Sequence, residues 1–119
     1  KQNLKFQFDM FHGYGNLDKA INVLMPNEKK DFETYVNTKT SFCPNIMFIT
    51  KKKIMEKYFN SVFEWLFRCE DVFGFKNLKG YETGRLYAYL AERYMSYWFQ
   101  KYYKVKYCNW VFYEDFNSK

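Results

Sequence analysis

Arg85, Glu92 and Arg93 stand in the stretch GRLYAYLAERY, residues 84–94, which otherwise reads as buried helix. Seven residues separate Arg85 from Glu92, so on a helix the two lie nearly on one face, with Arg93 one residue further round. A carboxylate so placed suits a general base or a ligand-orienting group, and the arginines suit a bidentate clamp on phosphate or carboxylate oxygens. The alternative is architecture. Glu82 and Arg85 would then pair on the surface, with Glu92 or Arg93 capping backbone groups of a neighbouring loop. His12, the only histidine, lies in FHGYG, a glycine-punctuated segment that reads as a loop able to present it to a ligand. Its glycines form neither GxGxxG nor a Walker loop, so cradling of phosphate by backbone amides has no support. One histidine cannot build a Ser/His/Asp or Cys/His constellation with confidence, and no Cys/His or DxD spacing marks a metal site. Cys43, Cys69 and Cys108 are odd in number and far apart, which reads as reduced thiols in a cytoplasmic protein.

The elements that must position these groups follow from apolar spacing. Gly13 and Gly15 break the aromatic opening KQNLKFQFDMFH. Asn16 is placed to cap a short helix with apolar residues at 17, 20, 21 and 24, which Pro26 ends. A second short helix is expected from about Glu28 to Val36, with Phe32, Tyr35 and Val36 on one side. IMFIT, residues 46–50, has the length and apolarity of a strand. A long helix follows from Lys51 or Lys52 to about Val72, its wide apolar face carrying Ile54, Met55, Tyr58, Phe59, Val62, Phe63, Leu66 and Phe67. Another runs from Tyr81 or Glu82 to about Tyr102, and Trp110, Val111 and Phe112 suit a closing strand. The expected fold class is therefore α+β, helix-rich, in a single domain spanning residues 1–119.

Composition narrows the function classes. Phe, Tyr and Trp make up 24% of the chain, which suits a bulky core, or else an aromatic-lined sugar or base platform. Net charge is +6, but the sixteen lysines are scattered. Against three arginines and no nucleic-acid motif, this argues for a solvated basic face and against a nucleic-acid partner. Attraction to phosphate-bearing ligands or an anionic membrane surface stays open. There is no apolar run long enough to span a bilayer and no signal peptide. The chain starts at Lys1 without Met, as a piece of a longer protein would.

FQFDMFHGYGNLDKAINVL, FCPNIMFITKKKIMEKYFNSVFEWLF, TGRLYAYLAERYMSYWF and WVFYE, taken in that order, resemble the C-terminal part of a bacterial domain found in capsular and exopolysaccharide glycosyltransferases. The resemblance implies the acceptor-side half of a GT-A-like glycosyltransferase domain. It further implies transfer of a sugar from a nucleotide-sugar donor to a glycan or lipid-linked acceptor at the inner face of the cell membrane. His12, Met47, Phe48, Arg85, Glu92 and Arg93 fall on matched positions. Asn45 matches one residue out of register, because Ile46 intervenes before Met47. Under the resemblance Glu92 is the catalytic carboxylate, and His12, Asn45, Arg85 and Arg93 hold substrate. No metal or cofactor is assigned to this chain, although a divalent metal could serve the parent enzyme. The missing N-terminal half of the domain would be its partner, leaving this piece inactive alone. The reading from a different class is a non-catalytic interaction module that binds an anionic glycan, lipid headgroup or partner protein.

Overall fold

The computed structural model describes residues 1–108. They form six helices: α1 (Leu4–His12), α2 (Asn16–Asn22), α3 (Pro26–Thr38), α4 (Lys52–Phe73), α5 (Tyr81–Gly84) and α6 (Leu86–Tyr102). No strand occurs among the described residues, so the α+β expectation, and with it the GT-A-like half-domain, is corrected to an all-helical fold. Residues 46–50 are irregular, since a strand exists only where a neighbour satisfies its backbone groups, and no described segment pairs with them. Ile46, Met47 and Ile49 face outward, while Phe48 tucks against Tyr58 and Phe99. The closing strand expected at 110–112 lies outside the described residues.

Local chemistry explains the helix ends. Asn3 caps α1, its Oδ1 accepting from the Phe6 amide at 2.8 Å. Leu4, Phe8 and His12, four apart, make the buried face of α1. His12 is thus the last residue of a helix and not a loop residue. Gly13 follows at φ 103°, and a Cβ there would meet the Asn16 amide nitrogen at 2.2 Å, so only glycine fits this corner. That amide is spoken for: Asn16 is the first residue of α2 rather than its cap, and its side chain donates to the His12 carbonyl at 2.9 Å. Pro26 opens α3, where its missing N–H costs nothing. The second long helix is interrupted at Arg85 (φ −104°, ψ 25°), which separates the single turn of α5 from α6.

The two long helices α4 and α6 pack on each other, and α1, α2 and α3 cover the remaining side. Trp65, Tyr58, Tyr94, Phe8 and Phe32 are among the largest fully buried side chains. Trp65 meets Phe32 edge-on at 5.7 Å and Tyr94 at 5.0 Å, and its indole N–H donates to the Ala20 carbonyl at 2.8 Å. Cys69 is buried among them, its thiol pushed up to about 12 by burial and therefore unreactive.

Candidate functional site

Three of the sequence-derived residues, His12, Glu92 and Arg93, gather where the end of α1 meets α6. His12 is only 6% exposed. Its ring stacks on Tyr89 with centroids 3.8 Å apart, and Phe8 meets its edge at 4.9 Å. Nδ1 lies 3.0 Å from the Glu82 carbonyl, which can only accept, so the neutral ring carries its proton on Nδ1. Burial lowers the His12 pKa, with Arg93 adding to the effect, against the Glu82 carbonyl and carboxylate, which raise it.

This has a measurable consequence. The unfolded chain takes up a proton at His12 near pH 6.5 while the folded one resists. Stability is therefore present above about pH 6.5 and is lost as pH falls from there toward the lower folded value. Glu92, raised by burial, acts oppositely, its contribution being lost as pH rises through the window just above 4.5. Urea midpoints between pH 5 and 8 should fall on the acid side in the wild type and flatten in His12→Gln. A parallel fall in both proteins would refute this role for His12.

Arg93 is 4% exposed. Its guanidinium lies between two rings, 4.2 Å from Phe42 and 5.1 Å from Phe8, and Nη1 donates to the Tyr89 carbonyl at 3.2 Å. Glu92 stands 3.6 Å from Nη1 and keeps partial contact with solvent. Burial pulls the Arg93 pKa down to about 10, with Glu92 opposing, so Arg93 remains charged at neutral pH. Its Nε has no hydrogen-bond partner among the described residues. Arg85 is exposed and donates to the Tyr81 hydroxyl at 2.9 Å while lying over that ring. Arg93 thus joins α1, α6 and the 39–51 connection, and Arg85 braces the α5–α6 junction.

Asn45 belongs to a different place. It is exposed on the connection before α4 and lines a groove of about 1140 Å³. Residues 42–50 and 103–108 form its two lips, with Ile54, Met95 and Phe99 beneath. Lys104 and Lys106 stand on one lip, and no Asp or Glu lines the groove among the described residues. Ile49 is wholly exposed on the opposite lip, and the exposed lysines Lys51, Lys52 and Lys53 follow after Thr50.

One buried carboxylate escaped the sequence reading. Glu28, 4% exposed, accepts from Tyr94 at 2.8 Å and from Tyr102 at 2.9 Å. Burial pushes the Tyr94 hydroxyl well above its ordinary value and that of Tyr102 up to about 12, with Glu28 contributing to both. Both phenols therefore stay protonated and donate. The signal available in the sequence was an acid in the first turn of a helix, which is common and says nothing of burial.

Fold and surface together define a small helical domain with a basic, apolar-walled groove. A profile described as Domain of unknown function (DUF4422) matches residues 1–104, and the chain belongs to that family. No curated protein and no solved structure matches it. The glycosyltransferase resemblance is corrected accordingly: the matching family carries no assigned activity, and the helical fold contains no sheet among the described residues. Nor do the described residues bring three or more His, Cys, Asp or Glu side chains together to hold a metal. The sugar-transferase function and its enzyme assignment fall with that fold, and the non-catalytic module fits the architecture better. No helix among the described residues is long and apolar enough to cross a membrane.

Proposed function

We propose that this chain is a non-catalytic interaction module that docks peripherally on an anionic lipid surface. The observation that carries the reading is Ile49: it is wholly exposed at the groove lip and is separated by Thr50 alone from Lys51, Lys52 and Lys53. An apolar side chain at such a tip enters the headgroup boundary, while adjacent lysines meet lipid phosphates, each contributing about 1 kcal/mol near an anionic surface. Met47 and Ile46 widen the apolar contact. Among the described residues only Lys52 has a carboxylate within reach, Glu56 at 3.9 Å, and both are open to solvent, so the pairing is weak. Net charge of +6 supports approach to such a surface. Under this reading His12, Arg85, Glu92 and Arg93 serve the fold that presents the lip.

Co-sedimentation with vesicles containing phosphatidylserine, beside vesicles of phosphatidylcholine alone, tests it. Binding should favour the anionic vesicles and fall with salt as the lysines are screened. Replacing Lys51, Lys52 and Lys53 with alanine should weaken it on the order of 100-fold. Ile49→Glu should lower it at least about tenfold, and Glu92→Gln should leave it unchanged. Equal binding to both vesicle types, or none, would refute the proposal.

A further inference from the structure

The groove behind that lip has features that a flat membrane contact does not require. Its volume of about 1140 Å³ lies just above the usual range for small-molecule sites. Phe48, Ile54, Met95 and Phe99 make an apolar interior, and the Ser96 hydroxyl within it already accepts the Cys43 amide at 3.0 Å. Polar recognition in the depth of the groove is therefore sparse. At the mouth stand Lys104 and Lys106, with no acidic side chain lining the groove among the described residues to neutralise them. An apolar interior with a cationic mouth is complementary to an amphiphile of one shape: a single alkyl chain with an anionic head.

We infer that the groove binds one such amphiphile, its chain against Phe48, Ile54, Met95 and Phe99 and its phosphate or carboxylate head at Lys104 and Lys106. This rests on the lipid-surface reading, and it adds a bound molecule where that reading needs only a surface. It also gives the lip a second task. Residues 42–50 wall the chain on one side while Ile49 touches the bilayer from which the chain would come.

The test is titration calorimetry without vesicles, using octyl, decyl and dodecyl phosphate below their micelle concentrations. Affinity should rise toward the value of roughly fourfold per methylene that full burial gives, and by at least tenfold from octyl to dodecyl. Dodecyltrimethylammonium, with the same chain and a cationic head, should bind at least tenfold more weakly than dodecyl phosphate. Lys104→Glu/Lys106→Glu, both at exposed positions, should reduce dodecyl phosphate binding at least tenfold. Ile54→Trp, which fills the interior, should do the same with the thermal transition monitored as a folding control. Affinity independent of chain length, or matched by inorganic phosphate, would reduce the site to a surface anion contact and overturn the inference. Equal binding of the cationic amphiphile would overturn it as well. Loss of vesicle binding with dodecyl phosphate binding intact would instead sink the surface reading alone, and vesicle binding without amphiphile binding would sink the groove alone.

Discussion

Trp65→Ala is expected to destabilise the domain by about 3–5 kcal/mol, the range for removing a fully buried large aromatic. Trp65 is 1% exposed and sits where α4 meets Phe32 of α3 and Tyr94 of α6. Its loss opens a cavity between three helices that their own contacts prevent from collapsing fully. Against a total of about 5–15 kcal/mol for a domain of this kind, that is a large share, and the thermal midpoint should drop by roughly 10–25 °C. Trp65→Phe should lose much less, because a ring remains and the Ala20 carbonyl still accepts from the Val23 amide at 3.3 Å. Phe67→Ala, two residues along the same helix, should change stability by less than about 0.5 kcal/mol, since Phe67 is 65% exposed. Urea denaturation followed by far-UV circular dichroism separates the three. Comparable losses at 65 and 67 would mean that α4 buries a different face.

That contrast marks how far apolar spacing could be read. The bounds of α4 followed from its periodicity to within a residue or so, yet the buried side did not. Phe59, Phe63 and Phe67 belong to the same wide apolar face as Tyr58 and Val62, but they sit outside the core, each ring tilted against the next. Trp65 and Cys69 lie inside. When apolar residues cover most of a helix's circumference, only its neighbours decide which side is buried, and those come from distant sequence. In α1 the aromatic residues alone do not mark the buried face, since Phe6 and Phe11 are exposed, and the i, i+4 spacing of Leu4, Phe8 and His12 defines it only once His12 counts as a core residue. IMFIT had a strand's composition, but pairing is a property of two segments. The proximity of Arg93 to Glu92 was evident from adjacency, whereas its seat between Phe8 and Phe42 depended on two other parts of the chain.

Glu28 supplies the second large effect, and it tests whether the polar centre of the fold acts as a unit. Glu28→Ala is expected to cost about 2–4 kcal/mol: hydrogen bonds to a charged group contribute roughly 1.5–3 kcal/mol, and a buried donor left unpaired costs about 1–3 kcal/mol. Tyr94 is fully buried and has no water to turn to, while Tyr102 is 42% exposed and does. Most of the loss should therefore come through Tyr94. Glu28→Gln keeps an acceptor for Tyr94 and should lose only about half as much. Tyr94→Phe removes the donor but leaves Tyr102 on the carboxylate, and combining it with Glu28→Ala should cost less than the sum of the two by about 0.5–3 kcal/mol. Additivity would mean that the Tyr94 hydroxyl finds another partner and that α3 and α6 are joined by apolar packing alone. The consequence reaches the proposed binding surface, because α6 ends at Tyr102 and the groove lip begins at Tyr103. If Glu28 holds that end of α6 against α3, Glu28→Ala should weaken anionic-vesicle binding at temperatures well below its unfolding transition, and Phe67→Ala should not.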